Sequence, residues 1–260
     1  MSKINFKLLI LICLMMSPLK LIALESTLSI AKKPSPLQNP TWLKPYSASY
    51  TIFRDDDKSG KATRSLKKSG ESWELLSYSK AKVLFFTDKR TEKSIFQWHQ
   101  SLHPLSYFYE IKNSFKKQLT KEFFDWDLKV IRGKRTNKNQ WQIPLKEGIS
   151  DPLNHQLLLR EQLIEINNSA QSFSNKTFSF DITSKGTIQK RSYQLVAEET
   201  ITTKAGDFES YKLVRERGSR KTILWMAKEL DFIPVKIYQE KDGEEQGTMV
   251  LNNITTFPLQ

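Results

Sequence analysis

Asp125 and Asp127 are the nearest this chain comes to a working pair of carboxylates. Paired acid–base chemistry needs two carboxyls in different environments, one keeping its proton near neutral pH and one ionised. Both aspartates fall on the polar side of a stretch in which Phe124, Trp126, Leu128 and Val130 make the apolar side, so both are expected to be solvated and without a catalytic role. Asp55, Asp56 and Asp57 lead into Lys58-Ser59-Gly60 and lack the spaced ligands of a calcium loop, which leaves a plain turn. His99 and His103 would share one face of a helix, but Pro104 favours a strand, where no metal role is expected of them. One cysteine excludes a disulfide framework and a multi-cysteine zinc site. The sequence contains no phosphate-binding glycine loop, dinucleotide fingerprint, serine elbow or His-Glu-x-x-His helix. The expectation is a protein that is not an enzyme and takes no cofactor.

Aromatic and basic residues carry more information. There are 15 Phe, 8 Tyr and 6 Trp, most of them in strand-like segments. A curved sheet with an aromatic inner face either encloses an apolar cavity or is an ordinary filled core. For a cavity the candidate lining residues are Phe124, Trp126, Leu128, Leu157 and Trp225. The formal net charge is +13. Lys112, Lys116, Lys117 and Lys121 form one basic cluster, and Arg132, Lys134, Arg135 and Lys138 a second around an expected turn from Gly133 to Asn139. The second group is the candidate contact to an anionic surface, against the plainer reading of a solvated turn.

The elements that must position these residues are mostly strands. Period-two alternation runs through Tyr46, Ala48, Tyr50 and Ile52, and again through Phe178, Phe180 and Ile182. Further strand-like stretches recur at short intervals to Leu251, with Asp242-Gly243 as a strong hairpin signal near the end. Asp151-Pro152 opens an amphipathic helix over residues 152–166, with Leu153, Leu157, Leu158, Leu163 and Ile164 buried and His155, Arg160, Glu161 and Glu165 polar between them. The fold class is all-β and mainly antiparallel: a curved sheet or partly open barrel of about eleven strands with one helix on its open side, a two-sheet sandwich being the alternative.

Ahead of this domain, residues 1–23 read as a secretory signal peptide. Lys3 and Lys7 precede the apolar run Leu8 to Met16, Ser17-Pro18 breaks it, and Ala23 offers a small residue for cleavage. An uncleaved inner-membrane anchor is the alternative, although the run is shorter than the roughly 20 apolar residues a span requires. Cys13 would leave with the signal. Residues 24–45, with Pro34, Pro36, Pro40 and Pro45, read as an extended tether, and 46–257 as one domain.

The C-terminal half carries a resemblance. Ala197-Glu198-Glu199-Thr200-Ile201, the turn Ala205-Gly206-Asp207-Phe208, Trp225-Met226-Ala227-Lys228-Glu229-Leu230 and Ile233-Pro234-Val235-Lys236-Ile237 resemble the bacterial exported family known as domain-of-unknown-function family 3108. Tyr46-Ser47-Ala48-Ser49-Tyr50 and Asp151-Pro152-Leu153 fit the same pattern, so the resemblance covers roughly residues 46–251. It transfers no catalytic residues. It implies an exported β-rich domain of a Gram-negative envelope, with a looser similarity of fold to periplasmic lipoprotein carriers. The expected function is therefore a periplasmic binding or carrier protein for an apolar or amphipathic envelope molecule. A scaffold that pairs through an exposed sheet edge is the second reading, and a hydrolase of cell-wall or lipid material the third. A lipid or lipoprotein-like ligand and an anionic membrane surface are the expected partners, and nucleic acid is not.

Overall fold

Alternation along the strands sets the architecture, because successive side chains point to opposite faces of a sheet. In the computed structural model, which describes residues 39–83, 86–169 and 175–257, Tyr46, Ala48, Tyr50 and Ile52 are all buried on one face of the first strand. Among the described residues there are fifteen strands, not about eleven. The first eight are β1 (Tyr46–Arg54), β2 (Asp57–Ser69), β3 (Ser72–Val83), β4 (Phe86–Trp98), β5 (Leu102–Lys112), β6 (Lys117–Asp125), β7 (Val130–Arg135) and β8 (Trp141–Pro144). A two-residue β9 (Ile149–Ser150) leads into the helix α1 (His155–Asn168). The rest are β10 (Thr177–Ser184), β11 (Thr187–Thr203), β12 (Gly206–Arg217), β13 (Arg220–Ala227), β14 (Ile233–Lys241) and β15 (Glu244–Thr256). The additional strands are β2, which begins at Asp57 inside the expected turn, the short β8 and β9, and the division between β6 and β7 of the stretch read as one strand from Phe124 to Val130.

All fifteen form one sheet, antiparallel except for the β9–β10 pair, in the order β8-β7-β6-β5-β4-β3-β2-β1-β15-β14-β13-β12-β11-β10-β9. Its ends are not hydrogen-bonded to each other, but the sheet coils on itself. Thr183 of β10 donates to Glu122 of β6 at 2.5 Å, although the two strands lie near opposite ends of the order. Trp141 of edge strand β8 packs on Gly133 of β7 and on Gly186 in the β10–β11 turn. A side chain at Gly133 would run into that indole ring. Asp242 and Gly243 both have positive φ, 55° and 80°, the conformation of a two-residue type I′ hairpin turn, as their sequence predicts.

The helix begins at His155, three residues later than expected. Asp151 does not cap it directly: its Oδ1 accepts the Leu153 and Asn154 N–H groups at 2.8 and 2.7 Å, and Asn154 Oδ1 accepts the Asp151 N–H at 2.8 Å. This side-chain-closed turn uses donors that would otherwise be orphaned at the helix start. The buried positions of α1 include His155 and Arg160, both expected to face water. Arg160 donates from Nε to the Asp231 carbonyl at 2.8 Å and lies over the rings of Trp42 and Tyr46. Leu157 is buried and Leu158 half-buried.

Two apolar clusters make up the core, most of it on the concave side, although Trp225 of the first lies on the other face. One joins β1–β7 and β13–β15 to the first half of the helix, with Trp73, Leu75 and Phe96 fully buried in it. The other lies between the second half of the helix and β10–β13, with Leu159, Leu163, Phe178 and Phe180. Trp42 and Leu43, which the sequence places in the tether, are buried in the first cluster. The signal peptide, Cys13, Ala23 and most of the tether lie outside the described residues. Among the described residues no helix is long and apolar enough to cross a membrane.

Candidate binding cavity

Along the same strands that carry the apolar core, the concave face turns polar. Leu66 and Arg64 are two residues apart on β2, as are Leu75 and Ser77 on β3, and Phe96, Ser94 and Glu92 descend β4 in steps of two. Period two obliges each polar residue to share the apolar residue's face. The opposite wall, from β11 to β13, supplies Arg191, Tyr193, Arg215 and Thr222. Between the walls lies a cavity of about 310 Å³, with a second of about 230 Å³ beside it toward β5, β6 and β10. Glu92, Pro152 and Arg191 border both.

The larger cavity is lined by three guanidinium groups, those of Arg64, Arg191 and Arg215, and one carboxylate, Glu92. No ion pair holds any of the three arginines among the described residues. Arg191 donates to the Pro152 carbonyl at 3.1 Å, while its Nε and the Nε of Arg64 are buried without a partner. Burial is the main reason the Arg215 pKa is lowered, and the Arg191 charge adds to it. Glu92 accepts the Tyr107 hydroxyl at 2.6 Å. Burial raises its pKa, against the opposing pull of that hydrogen bond and of the arginines. The site is therefore cationic, and more so when Glu92 is protonated.

Around this opening the titratable groups are locked into structure. Asp151 is fully buried, and burial pushes its carboxyl up to about 7 despite hydrogen bonds from Ser94 Oγ at 2.5 Å and two backbone N–H groups. Burial, then the Arg191 charge, holds His155 well below the ordinary imidazole range. The ring is thus neutral. Its Nε2 lies 2.9 Å from the Tyr193 hydroxyl and 3.4 Å from Arg191 Nη1, which can only donate, so Nε2 is the acceptor. Glu122 is also pushed up by burial, against the Thr183 hydroxyl. No group of three or more potential metal ligands occurs among the described residues.

The residues singled out from sequence lie elsewhere. Phe124 and Leu157 are buried in the first apolar cluster and line neither cavity. The strand expected through Phe124 to Val130 is broken by a turn at 126–129. Trp126 sits in that turn, donates to the Pro104 carbonyl at 2.8 Å and packs on His103, and Leu128 is 64% exposed. Trp225 lies on the convex face, since its neighbour Leu224 lines the cavity. There its Nε1 donates to Glu199 at 2.8 Å, Lys212 bonds the same carboxylate at 2.7 Å, and the ammonium groups of Lys212 and Lys236 lie over its ring.

The second basic cluster is not one turn. Arg132, Lys134 and Arg135 belong to β7, with Arg132 paired to Asp125 on one face and Arg135 bonded to Gln118 on the other, and only Lys138 lies in the following turn. The residues sequence reading missed are Arg64, Glu92, Tyr107, Arg191 and Arg215. Their signal was present: Arg64 falls in the apolar register of Ala62 and Leu66, and Arg191 in that of Tyr193 and Leu195.

The sequence profile of the family described as "Protein of unknown function (DUF3108)" matches residues 45–250. No curated protein matches. Solved structures similar to this chain include two from the genera Parabacteroides and Bacteroides. A candidate lipoprotein from Parabacteroides distasonis is 10% identical, with 84% of this chain and 100% of that one covered and a TM-score of 0.32. A candidate exported protein with a YmcC-like fold from Bacteroides fragilis is 11% identical, with 82% and 94% covered and a TM-score of 0.29. Likeness at that level does not bear on the ligand.

Proposed function

The chain belongs to the DUF3108 family, and starting from there we propose that it is an exported, non-enzymatic binding or carrier protein for an amphipathic cell-envelope molecule whose anionic head sits among Arg64, Arg191 and Arg215. The observation that carries this reading is the cavity of about 310 Å³ in which three guanidinium groups face one carboxylate. Buried charge without a counter-charge is costly, and an anion entering the cavity would offset that cost while meeting the unpartnered Nε atoms of Arg64 and Arg191. Guanidinium groups suit carboxylate and phosphate heads because their donors are arranged for two parallel hydrogen bonds. An apolar ligand alone finds less support, since the large side chains of the concave face pack against one another. The acid–base groups nearby support binding over catalysis: Asp151 and His155 are both engaged with protein partners.

Dodecyl phosphate tests the reading. It should raise the melting temperature of the protein in a saturable way, because a ligand that prefers the folded state stabilises it. Arg191→Gln with Arg215→Gln should abolish the rise, and dodecyl maltoside, which has an uncharged head, should not produce it. Equal shifts with both amphiphiles, or a shift that survives the double substitution, would remove the arginines from the site.

A further inference from the structure

Strand register brings five lysines into one line on the convex face. Lys61 of β2 is directly opposite Lys80 of β3, Lys80 opposite Lys89 of β4, Lys89 opposite Lys112 of β5, and Lys112 opposite Lys117 of β6. All five are exposed, and Ala62, beside Lys61, is buried on the concave side, so the row faces outward. At a spacing of about 4.8 Å between strands the row is roughly 19 Å long. No ion pair or hydrogen bond holds any of the five side chains among the described residues. In the adjoining outward row, Thr63, Tyr78, Thr91, Glu110 and Leu119, one residue is an acid.

Like charges directly opposite one another on a sheet are destabilising. Four such juxtapositions in succession are not needed for solubility, which scattered lysines supply equally well. The row is relieved by a surface of opposite charge that can meet all five at once. Three residues beyond Lys112, at the tip of the β5–β6 hairpin, Phe115 is 83% exposed, with the Phe86 ring edge-on at 5.4 Å. Phe115 lies in the hairpin that joins Lys112 to Lys117, beside that end of the charged row, whereas Phe86 shares the β4 face of Asp88, opposite to that of Lys89. A polyanion running along the lysines has no use for an apolar tip there, whereas a bilayer interface accepts both, cations at the headgroups and an aromatic side chain just beneath them.

We propose that the Lys61–Lys80–Lys89–Lys112–Lys117 row, with Phe115 at its tip, seats this domain on an anionic phospholipid surface. The inference does not depend on the cavity reading, since it concerns the other face of the sheet. It also differs from the expectation based on the β7 cluster, whose Arg132 and Arg135 are engaged within the protein.

Vesicle flotation of the full chain tests it, with phosphatidylcholine vesicles compared with vesicles that are roughly a third phosphatidylglycerol. The anionic lipid should increase binding, and added salt should weaken the increase. Lys80→Glu with Lys89→Glu should reduce the phosphatidylglycerol-dependent part on the order of tenfold. Lys176→Glu with Lys204→Glu, exposed positions elsewhere that change the net charge by the same amount, should leave it close to wild type. Phe115→Ser should cause a smaller loss, and it serves as the decisive variant if the lysine pair does not fold. Equal losses in the two lysine pairs would show that net charge alone acts and would overturn the proposal. So would binding that ignores phosphatidylglycerol, or binding to single-stranded DNA with none to vesicles.

Discussion

Trp225 and Arg191 stand on opposite faces of one sheet and meet charge in opposite ways. Around Trp225 each polar group has a partner: Glu199 takes the indole N–H and the Lys212 ammonium, and the ammonium groups of Lys212 and Lys236 lie over the ring. Around Arg191 three cations share one carboxylate and leave two buried Nε atoms unpartnered. The first arrangement is complete without a ligand and contributes to stability. The second costs stability in the free protein, which is what a binding site does when its shape is set before the ligand arrives. A conspicuous tryptophan therefore marks architecture here, and inconspicuous arginines mark the site.

The largest test of that contrast is pH. Asp151, in the interior, has its pKa raised from 3.8 to about 7, so the folded state keeps a proton that the unfolded state releases. Its contribution to stability is full below about pH 4 and declines as pH rises to about 7, by on the order of 4 kcal/mol. Asp151→Asn should flatten the stability profile over that window in urea unfolding at a series of pH values. Glu199, on the convex face, has its pKa lowered, first by the Lys212 hydrogen bond and then by Trp225. Its contribution is present above the ordinary carboxylate range and lost as pH falls through the lowered value, so Glu199→Gln should act in the opposite sense. Profiles that respond alike would end the distinction between the two faces.

Next in size is Leu157→Ala. This side chain is 1% exposed where the helix meets the first apolar cluster, and its loss should cost about 2–5 kcal/mol in urea unfolding. A cost under about 0.5 kcal/mol would mean that the helix does not fix the cavity wall. Smaller, and more pointed, is a pair of swaps to methionine. Arg64→Met should leave the ligand-free protein as stable or about 1 kcal/mol more stable, because an unpaired buried cation is replaced by an apolar chain of similar length. Lys212→Met should cost about 1 kcal/mol, because it removes a partnered cation. Losses of equal size would contradict the reading of Arg64 as uncompensated. The smallest effect is expected for Leu128→Ser, within about 0.5 kcal/mol, since that side chain projects into solvent from the β6–β7 turn.

The places where sequence reading failed share a cause. Phe124, Trp126, Leu128 and Val130 alternate as a strand would, yet two of them occupy a turn, because no glycine or proline announces it. Asp125 closes the turn instead, accepting the Leu128 N–H at 2.9 Å. His155 and Arg160 read as the polar side of the helix, whereas each finds a buried acceptor or hydroxyl from a distant strand or turn. The helix start was displaced for a similar reason: Asp151 bonds to the residues just after it and so delays the first helical turn.

Local chemistry by itself determined that this chain makes antiparallel strands, one amphipathic helix and an Asp242-Gly243 hairpin. Alternation and φ preference are properties of neighbouring residues, and no distant contact is needed to read them. It likewise determined that Arg64 and Arg191 share a face with apolar neighbours, although not that the two would meet. Only the tertiary structure decided that meeting, because coiling of the sheet carries β2 and β11 to opposite walls of one cavity. The lysine row was decided in the same way. Its five members span residues 61 to 117, and register, which depends on how every intervening hairpin closes, alone puts them in line.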